Sequence, residues 1–252
     1  MRRGVRGAAR RSIGLVATTP QTLMGISGFA ASSAFYRTPA ASEGPPGGDT
    51  FTCWAIVWDV KTSAVNQCIF ARGSGVGGVS GWRLTQQSSV IRFAANDGTG
   101  VVQSPTYTVG AADANALTVF HGVIDVPGGR VKLYRNGVEI GAPGTAINAS
   151  FVPQAVQASV GVLSGGSGPF VSGDICGCGA VDVALTAGQV ASHYAAIVAA
   201  GRSVLPGFGT STWNYHSGDA GATWPYTGTG PNGNMTRTGT LTYTPRPLVW
   251  SV

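Results

Sequence analysis

Short runs of apolar and alternating residues, separated by turn residues, extend along most of the chain. The longest is Phe51–Val60 (FTCWAIVWDV), which is apolar on both faces and predicts a central, covered strand. Further strands are predicted at Cys68–Arg72, Gly81–Gln86, Val90–Ala95, Leu117–Val126, Val156–Leu163 and Val171–Val183. Turn signals recur roughly every 8–12 residues, a spacing that favours a β-sandwich or barrel.

The clearest local pattern is Gly129–Gly141 (GRVKLYRNGVEIG), which predicts a β-hairpin. Its Asn136-Gly137 loop suits a type I′ turn, in which both central residues need φ > 0. The resulting register places Leu133 opposite Ile140 and Tyr134 opposite Glu139. We therefore expect an apolar pair facing inward and a polar pair facing outward.

One segment has helical rather than strand periodicity. Thr186–Ala200 (TAGQVASHYAAIVAA) begins with a residue suited to an N-cap and is followed by Gly201, which suits a C-terminal stop. Its apolar stripe consists of Val190, Tyr194, Ile197 and Val198. His193 lies off this stripe, so we expect it to be solvated.

These elements predict an all-β chain in three parts. A basic N-terminal arm with its linker covers 1–48, a strand-rich body covers 49–201, and a Trp- and Thr-rich tail covers 202–252 and completes or covers the sandwich. Charged residues are only 10% of the chain and glycine accounts for 39 residues. Such a weakly charged surface is common in secreted proteins and in subunits of large assemblies.

The net charge of +6 comes largely from the first eleven residues. The arginines concerned are Arg2, Arg3, Arg6, Arg10 and Arg11. They suggest contact with an acidic partner or with nucleic acid, but without interleaved aromatic residues the nucleic-acid signal is weak. The alternatives are a solvated tail and the charged start of an export signal.

The segment after these arginines, Ser12–Ala34, has a cleavable-looking Ala-Ser-Ser-Ala ending, but Thr18–Thr22 interrupts its apolar stretch. We therefore expect a retained, extended structural arm, clamped by a neighbouring subunit or by its own domain. No apolar run approaches the length of a transmembrane helix.

Residues that could carry catalysis or bind a metal are sparse. The chain has two glutamates, Glu43 and Glu139, and no Ser/His/Asp spacing or phosphate-binding loop. His121 is expected to be a packed or hydrogen-bonded histidine. Asn96 and Asp97 are a weak Ca²⁺ candidate, for which a plain turn is the favoured interpretation. We expect no catalytic residue, no cofactor and no other metal site.

The four cysteines are Cys53, Cys68, Cys176 and Cys178. Buried free thiols are the favoured interpretation, followed by a disulfide and then by a metal site. On a regular strand, Cys176 and Cys178 would point to one face.

Several aromatic residues are candidates for stacking on sugar rings. They are Trp82 in the body and Trp213, Tyr215, Trp224 and Tyr226 in the tail. The favoured alternative is that they pack as an added strand pair or cover a sheet edge.

The body resembles a laminin-G-like module of the concanavalin A-like lectin/glucanase superfamily. Phe51–Val60 resembles its opening strand, and Leu117–Gly141 its long hairpin, in which a His-containing strand precedes LYRNG. Ser159–Val183 resembles the returning strand and Leu185–Ala196 the short helix that follows. The resemblance implies a two-sheet antiparallel jelly-roll sandwich with one short helix.

Glucanases of this superfamily use closely spaced carboxylates on one strand, in a Glu-x-Asp-x-x-Glu pattern. A retaining mechanism needs the acid and the nucleophile roughly 5 Å apart. Here Glu139 has no carboxylate within ten residues, and Asp174 and Asp182 have no acid between them. We therefore expect a protein that is not an enzyme.

Two functions remain open from the sequence. The first is a structural subunit of a bacteriophage virion, either a head decoration or accessory protein or a tail component. Its partners would be capsid or tail proteins in a homo-oligomeric or symmetric array. The alternative is a carbohydrate-binding module displayed on a cell or virus surface, with a glycan as partner and an extracellular location. Neither function involves a membrane.

Overall fold

The computed structural model describes most of the chain from Thr22 to Ser251. The described residues are 22–27, 35–38, 50–60, 67–73, 81–96, 100–147, 151, 157–162, 174–209, 212–216, 223–224, 226–228, 235–238 and 240–251. The basic residues Arg2, Arg3, Arg6, Arg10 and Arg11 lie outside this part of the chain, as does Asp97.

The described chain is mostly β-structure with one α-helix. Its strands are β1 (Thr22–Ser27), β2 (Phe35–Arg37), β3 (Thr50–Trp58), β4 (Gln67–Arg72), β5 (Gly81–Gln87), β6 (Val90–Asn96), β7 (Val101–Gln103), β8 (Tyr107–Thr108), β9 (Leu117–Asp125), β10 (Arg130–Arg135), β11 (Val138–Ala146), β12 (Ala158–Val160), β13 (Asp174–Val181), β14 (Thr212–His216), β15 (Thr223–Trp224), β16 (Tyr226–Gly228), β17 (Met235–Thr238) and β18 (Thr242–Pro247). A short 3-10 turn covers Ala111–Asp113, and the α-helix, α1, covers Ala187–Ala200.

The strands form two antiparallel sheets of nine strands each, which make a jelly-roll sandwich. Sheet A has the order β11-β10-β9-β3-β13-β1-β18, and β14 also pairs with β13 and β16. Sheet B has the order β15-β17-β2-β12-β4-β5-β6-β7, and β8 also pairs with β6. The fold class predicted from the sequence is confirmed.

The core lies between the two sheets, and a second apolar layer lies on the far side of sheet A. Strand β3 contributes to both layers, as its unbroken apolar run predicts. Phe51, Cys53 and Ala55 face the core between the sheets. Trp54 and Ile56 face the second layer, which α1 and the last residues of the chain cover.

The hairpin of β10 and β11 has the predicted turn and register. Asn136 and Gly137 have φ values of 49° and 82°, and Leu133 pairs with Ile140 and Tyr134 with Glu139. The expected outward polar face is wrong for Tyr134, which is fully buried. Helix α1 covers this face of sheet A, so the tyrosine packs beneath it.

Helix α1 begins and ends as predicted. The Thr186 hydroxyl accepts from the Gln189 amide and Gln189 bonds back, while Gly201 ends the helix at φ 62°. The prediction that His193 is solvated is wrong, because the side chain is only 1% exposed. It faces sheet A, where it pairs with His121 of β9.

Part of the predicted arm belongs to the sandwich. Strand β1 pairs with β18 along its whole length and with β13 at Ile26, which is fully buried. Strand β2 pairs with β12 and β17 in sheet B. Of the two expected clamps, the chain's own domain therefore holds these two segments, since they bond to its own sheets.

The tail completes the sandwich from both sides. Strands β14, β16 and β18 join sheet A, and β15 and β17 join sheet B.

The expectation that Cys176 and Cys178 share a face is wrong. A bulge between Ile175 and Gly177 shifts the alternation of β13, so Cys178 faces the core and Cys176 the second layer. All four cysteines are buried free thiols, as the favoured interpretation held.

Candidate functional site

Three of the five aromatic candidates for sugar stacking are core residues. Trp82, Trp213 and Tyr215 are at most 2% exposed. The Trp82 ring lies 4.8 Å from Phe51 and 4.9 Å from Phe70, measured between ring centroids. A ring with no exposed face cannot stack on a sugar, so the packing alternative holds for these three.

The remaining candidates in that group lie on strands whose side chains the structure does not describe. Trp224 is in β15 and Tyr226 in β16.

The weak Ca²⁺ candidate gains no partner ligands in the described part of the chain. Asn96 is 3% exposed at the end of β6. In the described residues no group of three or more His, Cys, Asp or Glu side chains is arranged to hold a metal ion.

Two histidines meet beneath α1. His121 in β9 is fully buried, and its Nε2 lies 3.1 Å from Nδ1 of His193. His193 Nε2 lies 2.9 Å from the Val204 carbonyl oxygen, and the ring packs edge-on against Trp54. This pair joins the helix to sheet A and is closed to ligands, so its role is structural.

The carboxylates with described contacts also have structural partners. Both Asp113 and Asp174 form ion pairs, with Arg135 and Arg246 respectively. Glu139 accepts a hydrogen bond from the Tyr134 hydroxyl at 3.1 Å.

A different group of polar residues lies on the outer face of sheet B. Inward residues of β5 and β6 such as Trp82, Leu84 and Phe93 fill the core, so alternate residues face away from it. We call the resulting surface the Arg92 face. It consists of Arg83 and Thr85 on β5, Arg92 on β6, and Val101 and Gln103 on β7.

The strand register brings these side chains together. Thr85 pairs directly with Arg92, and Arg83 and Gln103 pair with Ala94 from its two sides. Backbone and hydroxyl bonds between Phe93 and Ser104, of 2.8 and 3.0 Å, hold the chain next to Gln103.

Arg92 is held by one neutral acceptor. Its Nη1 donates to Gln103 Oε1 at 2.8 Å. Its Nε has no hydrogen-bond partner, and neither does Thr85 Oγ1. Thr85 is 6% exposed, so an unsatisfied hydroxyl lies buried beside a partly exposed cation. Buried polar groups in native proteins usually have a partner, which can be a protein group, a water molecule, an ion or a ligand.

The Arg92 face carries two cationic side chains, those of Arg83 and Arg92. Burial lowers the pKa of Arg83, the neighbouring Cys68 raises it, and Arg92 lowers it further. Burial also lowers the pKa of Arg92. Arg83 and Arg92 lie diagonally across β5 and β6, and an anion beside Arg92 reduces the repulsion between the two positive charges.

Sequence patterning contained the signal for this face, but it was weak. The alternation Trp82-Arg83-Leu84-Thr85 marks residues 83 and 85 as outward. What a single sequence could not supply was the pairing of β5 with β6 and β7, which places Arg92 beside Thr85 and Gln103.

Comparison with known proteins establishes the fold class only. No family model matches the chain, and no curated protein matches it. A protein from Bacteroides ovatus ATCC 8483, proposed to bind carbohydrate, aligns at 18% identity and a TM-score of 0.55 over 92% of this chain. The chain spans 62% of that protein's length.

Two further solved structures have lower scores. A heptameric SAP-like pentraxin from Limulus polyphemus aligns at 14% identity and a TM-score of 0.49 over 68% of this chain and 82% of its own. The CBM40 of the Ruminococcus gnavus IT-sialidase, bound to α2,3-sialyllactose, aligns at 12% identity and a TM-score of 0.44 over 59% and 83%. The likeness to the Bacteroides ovatus protein supports a jelly-roll sandwich fold for this chain.

No helix in the described part of the chain has the length and apolar character needed to cross a bilayer.

Proposed function

We propose that this protein is a carbohydrate-binding module without catalytic activity, displayed outside the cell or on a surface. The observation that carries the proposal is the Arg92 face, a polar, cationic surface with unsatisfied groups on a lectin-like sandwich. The fold supports this function by analogy alone, so the side chains of the face carry the argument.

The energetics of this surface favour a ligand. A buried donor or acceptor without a partner destabilises a protein by about 1–3 kcal/mol. Thr85 Oγ1 and Arg92 Nε are two such atoms on one directly opposed pair of residues. Sugar hydroxyl and ring oxygens both accept hydrogen bonds, so a saccharide offers partners to these two buried atoms once the Arg92 side chain turns outward.

The partners of three described acids support the proposal that the module has no catalytic activity. Asp113 and Asp174 are neutralised by arginines, and Glu139 bonds to Tyr134. A glycosidase needs one acid that donates a proton and a second carboxylate within reach of the same bond. None of these three carboxylates has that arrangement.

The experiment is a glycan screen with the full chain, followed by calorimetric titration of every ligand found. Arg92→Gln tests the proposed site, and Arg202→Gln is its matched control, since Arg202 is an exposed arginine beyond α1. We expect glycan binding that Arg92→Gln weakens and Arg202→Gln leaves unchanged. A screen of neutral and acidic glycans without any binding would refute the proposed function.

The second candidate function is a phage virion subunit. It rests on the basic residues at the start of the chain and on the weakly charged composition. The assay is co-sedimentation with particles that lack the protein. Incorporation that is lost when the basic segment is deleted, in a chain that binds no glycan, would favour this candidate.

A further inference from the structure

We propose that the Arg92 face binds the carboxylate group of an acidic saccharide. This inference rests on the proposed function. It narrows the ligand from carbohydrates in general to sugars that carry a carboxylate group. Three observations support it: the hydrogen-bond donors of Arg92, its charge without a described carboxylate partner, and the exposed apolar residue on the same face.

The first observation is the set of hydrogen-bond donors on Arg92. A guanidinium group has five N–H donors in a planar fork. Arg92 uses Nη1 for Gln103, at 2.8 Å, and leaves its Nε without a partner. The Nε–Nη2 edge is the side that binds a carboxylate through two parallel hydrogen bonds, whereas a neutral hydroxyl can satisfy only one of them.

The second observation is the positive charge of Arg92. Among the described residues, Arg135 and Arg246 each form an ion pair with a carboxylate, and no described carboxylate pairs with Arg92. Arg83 adds a second positive charge on the same face, diagonal to Arg92 across β5 and β6. An anion at this point gains attraction from the Arg92 guanidinium group.

The third observation is an exposed apolar side chain that a sugar ring can cover. Val101 is on the same face of β7 as Gln103 and is 38% exposed, one of only four large apolar side chains exposed in the described part of the chain. A pyranose ring has an apolar C–H surface, which can cover this side chain. Val101 pairs with Asn96, four residues along β6 from Arg92, so the carboxylate on Arg92 and the ring over Val101 belong to one unit or to two successive units of an acidic saccharide.

Binding requires a rotation of Arg92. Its Nε has almost no accessible surface in the structure, so a ligand reaches the Nε–Nη2 edge only when the side chain turns outward. The present rotamer leaves that Nε unsatisfied, which lowers the free-energy difference that the rotation must overcome. Gln103 bonds only to Nη1, so the guanidinium group can turn while this hydrogen bond is kept.

The test compares pairs of ligands that differ only in the carboxylate. The probes are a galacturonic acid trisaccharide with its carboxyl-reduced galactose counterpart, and sialyllactose with lactose. We expect at least one acidic member to bind at least about tenfold more tightly than its neutral counterpart, since a charge-assisted bidentate pair exceeds a neutral hydrogen bond. Added NaCl should weaken the acidic member's binding and leave that of the neutral member unchanged.

Three variants make the test specific to the proposed geometry. Arg92→Gln should reduce the affinity for the acidic probe by about tenfold or more. Arg92→Lys should lose a similar factor, because an ammonium group keeps the charge and lacks the fork. Arg202→Gln should change nothing. Circular dichroism and thermal melting verify that all three variants fold.

The outcomes separate this inference from the proposed function. Equal binding of acidic and neutral partners, with no effect of Arg92→Gln, overturns the inference and leaves a glycan-binding protein with a different site. Full retention of affinity in Arg92→Lys overturns the bidentate geometry. Tighter binding of a sulfated sugar than of the carboxylated one assigns the site to sulfate and refutes the carboxylate. Binding of no glycan at all refutes both proposals.

Discussion

His121 donates a hydrogen bond from Nε2 to Nδ1 of His193, across the boundary between sheet A and α1. The direction follows from the Val204 carbonyl, which only accepts, so that His193 must carry its proton on Nε2. His193 Nδ1 is then an acceptor and His121 Nε2 a donor. This leaves His121 Nδ1 as a buried acceptor without a partner.

Acid should weaken the fold through these two residues. Burial lowers the pKa of His121 well below 6.5, and His193 lowers it further. Burial also lowers the pKa of His193 to about 4, against the Val204 carbonyl, which raises it. In the unfolded chain both histidines bind protons near pH 6.5. Protonation therefore favours the unfolded state as the pH falls from about 6.5 towards 4.

The expected free energy of unfolding changes little above pH 7 and then decreases, by up to about 1.4 kcal/mol per pH unit for each histidine. Urea unfolding at several pH values measures this slope. In His193→Gln, which retains an amide for the same partners, the slope below pH 6.5 should be about half as steep. A variant with the wild-type slope would show that His193 does not titrate with folding.

Replacement of Gly137 by valine should destabilise the hairpin by about 1–3 kcal/mol or more. A β-branched residue is strained at φ 82°, and a Cβ atom there would lie 3.1 Å from the Ala191 Cα of the helix. Gly129→Val is the matched control, because its φ is 66° and a Cβ atom there meets nothing within 4 Å. Thermal melting of both variants separates backbone strain from the clash with α1.

Two truncations should differ sharply in stability. Deletion of residues 1–21 removes the basic residues and leaves β1 intact. Deletion of 1–27 removes β1, including Leu23 and Ile26, which are 5% and 0% exposed. The longer deletion removes the strand through which β18 joins sheet A. It should lower stability by several kcal/mol more than the shorter one, since buried Leu and Ile side chains contribute about 1.5–3 kcal/mol each. Equal melting temperatures would show that β1 contributes nothing.

Thr85→Val should keep or raise the stability of the free protein. The substitution preserves shape and removes a buried hydroxyl without a partner. We expect a melting temperature equal to or above that of the wild type. A loss of more than about 1 kcal/mol would mean that the hydroxyl has a structural partner, such as an ordered water molecule.

The residues of the Arg92 face are thus expected to favour ligand binding and to lower the stability of the free protein, a trade-off that is common at binding sites. A variant with Thr85→Val and Arg92→Gln together should be at least as stable as either single variant and should not bind the acidic probe. Double-mutant analysis of stability then reports how strongly the two opposed residues are coupled.

Local patterns in the sequence predicted the parts of the fold that depend on neighbours in the chain. The Asn136-Gly137 turn and the helix caps at Thr186 and Gly201 depend on backbone geometry over a few residues, and each is present as expected. The central strand β3 was evident because it is apolar on both faces.

The failures of prediction share a different cause. Tyr134 and His193 look polar and outward within their own elements, and only the packing of α1 on sheet A buries them. The face of Cys176 changed because one extra residue bulges in β13. Strand β1 was not predicted, because its main partner, β18, lies at the other end of the chain and local sequence patterns do not show such a pairing.

The same limit applies to the candidate site. Aromatic residues such as Trp82 attract attention as sugar-stacking groups, but their large apolar area places them in the core. Arg92 is unremarkable in VIRFAAN until β5 and β7 are brought to its sides. A site assembled across three strands is defined by register, which a single sequence specifies only indirectly.

The pairing of β1 with β18 also constrains when the sandwich can be completed during synthesis. Six residue pairs from Thr22↔Pro247 to Ser27↔Thr242 join the two strands. A ribosome releases Pro247 long after Thr22, so the nascent chain must hold the Thr22–Ser27 segment without its main partner until residues 242–247 have been synthesised. The last described strand of the sandwich therefore secures the first described one.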